Sequence, residues 1–198
     1  MIGFIAGING TGKSTLCSSP VVRNQLGVPV INPDEVARAI AADTGIDYAL
    51  ANLAAAEITE GEVFQAAARG TNSIAIETVL SSDKFYPVLD IALNREIEIG
   101  LIYVAVRSVE LTLKRIETRV AAGLHNVPEA RVRERWVKTH ENLRKWAPRV
   151  DQLLVFSNND ADRSPVLVAL KQSKLHSIEI LNRVEVPEAI AMLEEAGP

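Results

Sequence analysis

Gly7-Ile8-Asn9-Gly10-Thr11-Gly12-Lys13-Ser14 fits G-x-x-x-x-G-K-[ST], the pattern of a phosphate-binding P-loop. Its surroundings fit as well. Residues 1–6 form a short apolar run that reads as a buried strand, and residues 15–25 can continue as a helix ending near Gly27. Strand, glycine loop and helix together give the pattern its meaning. Glycines let successive backbone N–H groups turn inward around a phosphate at the positive end of the helix. Lys13 adds a point charge that can reach the β- and γ-phosphates, and Ser14 offers a hydroxyl to Mg2+. A nucleoside triphosphate site is therefore expected, built from Gly7, Asn9, Gly10, Thr11, Gly12, Lys13, Ser14 and Thr15.

Composition narrows the class. The chain has 198 residues, 47% hydrophobic and 23% charged, enough for one globular domain with a sizeable core. A net charge of -4 gives no global basic field for nucleic acid or anionic membrane. The single cysteine, Cys17, excludes an internal disulfide and suits a small core position, consistent with a reducing cytosol. No apolar run approaches the roughly 18 residues of a membrane span. The strand and P-loop begin at once, so no leader is expected. A cytoplasmic protein with no membrane partner follows as the expectation.

Downstream, residues 28–31 read as a strand with Pro29 at its start. Asn32 is a good N-cap and Pro33 a good first residue for a helix over 33–42. Asp34 and Glu35 either complement the helix dipole or stand where ligands bind, at the carboxyl edge of an open α/β sheet. Residues 48–69 are alanine-rich and helical, with Gly61 the point where a break would fall, and residues 70–72 close the helix. Residues 73–77 form the next buried strand. Glu77 ends it, either as a solvent-facing acid or as a carboxylate that orients Mg2+ or a substrate hydroxyl. A polar loop, 78–82, precedes a helix expected over 84–98 and capped by Asp83 or Ser82.

Residues 99–106 give the clearest central strand, apolar throughout and so covered by helices on both faces. Ser108 can cap a helix whose apolar stripe is Leu111, Leu113, Ile116 and Val120. Residues 121–128 turn, and Pro128 opens a second helix. This hairpin carries Arg107, Lys114, Arg115, Arg119, Arg131, Arg133, Arg135, Lys138, Arg144 and Lys145. It reads as a solvated charged face, as a nucleic-acid surface, or as an arginine-bearing lid over a γ-phosphate. His125 in the turn suits hydrogen bonding or packing more than catalysis, and His140 and His176 have no motif around them. A strand over 150–156, a loop over 157–162, a hairpin from 164–171 and 174–181, and a helix over 187–195 complete the chain.

In this order the segments resemble the zeta toxin family of P-loop kinases. The residues that carry the likeness are the P-loop, Asn32-x-Asp34-Glu35, Glu77-Thr78-x-Leu80-Ser81, Arg119-Val120-x-x-Gly123-x-His125-x-Val127-Pro128 and Arg135-Trp136, across about residues 1–160. The resemblance implies an α/β P-loop NTPase fold: a three-layer αβα sandwich with a mostly parallel sheet. It implies one domain over 1–198, a helical lid at about 108–145 and a C-terminal extension at about 164–198. It further implies an ATP- and Mg2+-dependent kinase acting on a small-molecule hydroxyl, with UDP-N-acetylglucosamine or another nucleotide sugar as acceptor and an antitoxin as protein partner. Asp34 would be the base, with Lys13, Arg119 and Arg135 as catalytic cations and Arg115 as a further nucleotide contact. Asn32, Asp34, Glu77, Thr78 and Ser81 would hold the acceptor, and Ser14 and Glu77 the metal.

The chain departs from the pattern at Ser157-Asn158-Asn159, where many relatives have Asp-Asn-Ser. Leu124 stands where a second glycine usually precedes the histidine, and Trp136 where tyrosine or phenylalanine is usual. These changes bear on the acceptor rather than the nucleotide. Two other readings of the P-loop remain. One is a switch or motor ATPase without an acceptor, although the chain has no Asn-Lys-x-Asp and no Leu-Ser-Gly-Gly. The other is a module that binds nucleic acid or an antitoxin through residues 107–145. The oligomeric state is left open.

Overall fold

The computed structural model describes residues 1–17, 27–28, 30–70, 73–122, 126–160 and 162–197. Its strands are β1 (Ile2–Ala6), β2 (Val30–Ile31), β3 (Ile74–Thr78), β4 (Ile99–Ala105), β5 (Gln152–Ser157), β6 (Val166–Lys171) and β7 (Glu179–Ile180). Its helices are α1 (Lys13–Cys17), α2 (Pro33–Thr44), α3 (Tyr48–Arg69), α4 (Tyr86–Asn94), α5 (Val109–Ala121), α6 (Glu129–Trp146) and α7 (Pro187–Glu195). The strands form one seven-stranded sheet in the order β2-β3-β1-β4-β5-β6-β7. The first five are parallel, while β6 and β7 add an antiparallel edge. This is the α/β P-loop NTPase fold. The chain leaves β1 toward β2 and β3 on one side and reaches β4 on the other, so β1 is the switch point where such sheets bind ligands.

Every residue of β4, the middle strand, is buried. Alternation divides its side chains between two faces. Ile99, Leu101, Tyr103 and Ala105 join Phe4, Val63, Phe85, Leu89, Leu143, Trp146 and Ile190 in a large core under α3, α4, α6 and α7. Ile102 and Val104 pack on the other face with Ile5 and Leu16, and Cys17 lies against them. Burial pushes the Cys17 thiol up to about 12, as suits a packing residue rather than a nucleophile. Phe4 meets Trp146 edge-on at 4.9 Å, tying β1 to the end of α6. Lys171, only 5% exposed, donates to the carbonyls of Ala147, Pro148 and Val150 at 3.3, 3.1 and 2.9 Å. It thereby satisfies carbonyls at the end of α6 and fastens that helix to β6.

Several boundaries differ from the expectations. The helix expected over 84–98 is α4, Tyr86–Asn94, and neither Ser82 nor Asp83 caps it by a side chain. Asp83 instead closes a turn through its carbonyl, which accepts from the Tyr86 amide at 3.0 Å. Pro87 sets the first helical turn, and Glu96, with φ 55, ends continuation on the other side. α3 runs unbroken through Gly61, because buried Thr59, Val63, Ala66 and Ala67 offset a glycine penalty of about 1 kcal/mol. On α5 the buried pair is Thr112 and Ile116; Val120 is exposed, so the apolar stripe ends one turn early. The hairpin strands and β2 are shorter than expected, whereas α7 has the expected bounds. The expected helix over 18–25, Pro29, the closing residues 71–72 and the Gly123-Leu124-His125 segment lie outside the described residues.

His140 is 6% exposed, with its ring against Trp136 and Tyr103. Nδ1 lies 2.7 Å from the Trp136 carbonyl, which can only accept, so Nδ1 carries the proton and the buried Nε2 is bare. Burial holds the imidazole below its usual range. A lowered folded pKa means that the unfolded chain takes up the proton first. The contribution to stability is therefore present above about pH 6.5 and is lost below it, by up to about 1.4 kcal/mol per pH unit. Thermal melts from pH 7.5 to 5.5 should fall more steeply for the wild type than for His140→Gln. Equal slopes would show that His140 stays out of the titration.

Candidate active site

The parallel register sets the site. Ile5 and Ala6 of β1 lie beside Glu77 and Thr78 of β3, and Ile31 of β2 lies beside Ile76. The P-loop, the Asn32–Asp34 start of α2 and the end of β3 therefore emerge together at one edge.

The loop is shaped by its own hydrogen bonds. The Ile8 carbonyl accepts from Thr11 Oγ1 and from Lys13 Nζ, both at 3.0 Å. Gly7 and Gly12 take φ values of 142 and 89. A Cβ on Gly7 would strike the Val104 carbonyl, and one on Gly12 would strike Asn158 Nδ2. Asn158 braces the loop from the end of β5, donating to the Thr11 carbonyl at 2.7 Å. Arg115 approaches the Gly10 carbonyl at 3.5 Å, and Arg135 donates to Asn9 Oδ1 at 2.8 Å.

Glu77 is the hub of the second half. Ser14 Oγ lies 3.1 and 3.0 Å from its two carboxylate oxygens, Asn32 Nδ2 donates to it at 3.1 Å, and Lys13 Nζ stands 3.8 Å away. The other end of the Asn32 amide accepts from the Asp34 amide at 2.9 Å, fixing the start of α2 as a capped turn. Burial pushes the Lys13 ammonium down, while the charges of Glu77 and Asp34 push it back up. Arg135 is also lowered, by burial first and then by Arg131, so the cations of this site repel one another.

These residues open on a cleft of about 570 Å³. Its walls carry Asn9, Lys13, Asn32, Asp34, Glu77, Thr78 and Ser81, all expected at the site, together with Arg119 and Arg135. Arg131 lines the cleft as well, whereas Arg115 touches the P-loop outside that wall. Ser14 and Thr15 are exposed at the start of α1. Gly7, Gly10, Thr11 and Gly12 form the loop behind them. Tyr48, Asn52 and Leu53 of α3, and Lys84, were not anticipated; only the four-residue spacing of Tyr48 and Asn52 on one helical face hinted at them. Asn158 enters the sequence reading only as the matching middle residue of Ser157-Asn158-Asn159, and no local pattern signals its bond to the P-loop.

Two cations of the basic hairpin are paired with acids of the same hairpin. Arg133 bridges Glu110 and Glu129 at 3.1 and 2.8 Å, and Lys138 meets Glu134 at 2.6 Å. Among the described residues, no group of three or more His, Cys, Asp or Glu side chains is gathered as for a metal cage. No described helix is long and apolar enough to cross a membrane.

Comparison with known proteins agrees with this architecture. A family model described as an AAA domain matches residues 3–143. No curated protein is matched by the sequence. A solved structure of AvrRxo1-ORF1:-ORF2 with ATP superposes with a TM-score of 0.67 at 15% identity, covering 100% of this chain and 64% of that one. A structure of the PezAT chromosomal toxin–antitoxin system of Streptococcus pneumoniae gives 0.59 at 18% identity, covering 84% of this chain and 69% of that one. This chain thus spans less than two thirds of the first of these relatives. The resemblance drawn from the sequence is met in the fold.

Proposed function

Because the chain belongs to the AAA-domain family matched over residues 3–143, we propose that it is an ATP- and Mg2+-dependent kinase that phosphorylates a hydroxyl of a small molecule. One observation carries the reading. A P-loop lysine, a carboxylate bonded from behind by the Ser14 hydroxyl, an exposed aspartate and three arginines line a single cleft. A switch ATPase has no need of the neutral polar wall formed here by Asn32, Tyr48, Asn52 and Ser81. The ion pairing of Arg133 and Lys138 favours a lid over a nucleic-acid surface.

Ser14 and Glu77 are hard oxygen donors, and one carboxylate with one hydroxyl is a set Mg2+ uses beside phosphate oxygens. Bound there, the ion would supply charge neutralisation at the phosphates. In the transfer, Asp34 takes the proton of the acceptor hydroxyl as that oxygen bonds to the γ-phosphorus. The bond from phosphorus to the β–γ bridging oxygen breaks, and ADP leaves. Lys13, Arg119, Arg131 and Arg135 hold the charge that develops, and α5 with α6 acts as the lid that brings the arginines. The acceptor is a polyhydroxylated compound such as UDP-N-acetylglucosamine or another nucleotide sugar, which suits a cleft of this size and lining. An antitoxin is the expected protein partner and the cytoplasm the expected compartment, where ATP is supplied.

Asp34→Asn tests the reading directly. Transfer should fall by about 10²-fold or more, with the ATP dissociation constant within about twofold of wild type, because Asp34 contacts the acceptor rather than the triphosphate. Wild-type transfer by this variant would remove Asp34 from the chemistry.

A further inference from the structure

α6 does more than carry arginines. Arg131, Arg135, Thr139 and Asn142 fall within one stripe of the helix, because spacings of three, four and seven return to the same face. Arg135 reaches Asn9 in the P-loop. One and two turns on, roughly 6 and 10 Å along the axis, Thr139 and Asn142 reach the loop after β3. Thr139 Oγ1 donates to the Val79 carbonyl at 2.8 Å, and Asn142 Nδ2 donates to the Leu80 carbonyl at 2.9 Å and to that of Ser82 at 3.4 Å. Asn142 is itself steadied by Tyr86, whose hydroxyl donates to Oδ1 at 3.3 Å. Thr139 is 0% and Asn142 3% exposed, so both are committed to these bonds.

The loop they hold would not keep this shape unaided. Leu80 sits at φ 58, in the left-handed region that a leucine disfavours, and is nevertheless 2% exposed. Its amide donates to Thr78 Oγ1 at 3.2 Å. The segment follows Glu77 directly and presents Thr78 and Ser81 to the cleft. A conformation that is locally unfavourable and fixed from outside, next to reacting groups, is what positioning requires.

We propose that Thr139 and Asn142 are positioning residues that hold the acceptor loop 78–82 in shape, and that by sharing α6 with Arg131 and Arg135 they couple the seating of the triphosphate to the geometry of the acceptor side. The second half rests on the kinase reading; the first does not. With ATP bound, the arginines gain an anion to hold, the half of α6 that carries them is held more firmly, and the loop bonded to Thr139 and Asn142 is held with it. The acceptor site is then complete only when the phosphoryl donor is in place.

Hydrogen exchange followed by mass spectrometry tests both halves, with peptides covering 78–86 as the readout and peptides of β6 as an internal reference, since Thr139 also bonds Tyr103 of β4. Without nucleotide, Thr139→Val and Asn142→Ala should each speed exchange in 78–86 by about fivefold, the factor one net hydrogen bond supplies, and leave β6 unchanged. Thr139→Ser, which keeps the donor, should match wild type. Equal loop exchange in wild type and both variants, or a parallel rise in β6, would overturn the positioning role. With Mg2+ and ATP added, exchange in 78–86 should slow several-fold in wild type and not in Asn142→Ala, while the ATP dissociation constant stays within about twofold. ATP that binds without protecting the wild-type loop would overturn the coupling. Failure of ATP to bind at all would overturn the kinase reading and the coupling together, leaving the nucleotide-free comparison to decide the positioning role.

Discussion

Lys13→Ala should lower phosphoryl transfer about 10³-fold while leaving the fold intact. Lys13 is 6% exposed and points into the P-loop, where its ammonium donates to the Ile8 carbonyl and faces Glu77 at 3.8 Å. Burial already pushes its pKa down, so the charge is held there at a cost that folding alone does not recover. A triphosphate would offset that cost, and more so as charge shifts in the transition state. Loss of the side chain does not orphan the Ile8 carbonyl, because the hydroxyl and amide of Thr11 also donate to it, at 3.0 and 3.4 Å. A melting temperature near that of wild type should therefore accompany the loss of rate. Transfer within tenfold of wild type would mean that the loop does not hold the reacting phosphates.

Arg135 carries the second large effect. Its guanidinium is half-buried, held to Asn9 at 2.8 Å, and lowered by burial and by the neighbouring charge of Arg131. Two mutually repelling cations over a cleft form a site short of an anion, and a γ-phosphoryl group supplies one. Arginines that act on phosphoryl groups contribute about 10³–10⁵-fold to kcat. We expect Arg135→Ala to lower kcat about 10³-fold. Arg135→Lys should restore little, because a point charge cannot reproduce the planar fork that bonds two oxygens at once. Steady-state kinetics separates the outcomes. A rise in KM for ATP with kcat unchanged would make Arg135 a residue that only binds the ground state.

The sequence showed the P-loop end of the cleft and the wall formed by Asn32, Asp34, Glu77, Thr78 and Ser81, but not the wall formed by α3. Glycine spacing, the Asn32-Pro33 cap and an acid closing an apolar strand are local signals, and Ser14, Asn32 and Glu77 do meet. Which arginines line the cleft was not legible. Arg115 and Arg119 are one turn apart, and the phase of α5 against the P-loop is fixed by packing of Ile8, Ile116 and Val132 rather than by local pattern. Tyr48 and Asn52 escaped notice because only the passage of α3 across the sheet edge brings them to the site. Thr139 and Asn142 looked like ordinary polar residues of a charged helix, since their partners are carbonyls some sixty residues away in the chain. The ends of α4 depend on Pro87 and on a left-handed Glu96, which a smooth apolar pattern conceals.

The central claim is that phosphate moves from ATP to a small-molecule hydroxyl. Its most direct test is transfer of label from γ-labelled ATP with Mg2+, first to UDP-N-acetylglucosamine and then to a pooled small-metabolite extract, beside Lys13→Ala and Asp34→Asn. The account predicts a labelled organic product that both substitutions suppress and whose mass identifies the acceptor. Labelled inorganic phosphate alone, released at the same rate by Asp34→Asn, would contradict it and make the protein an ATPase.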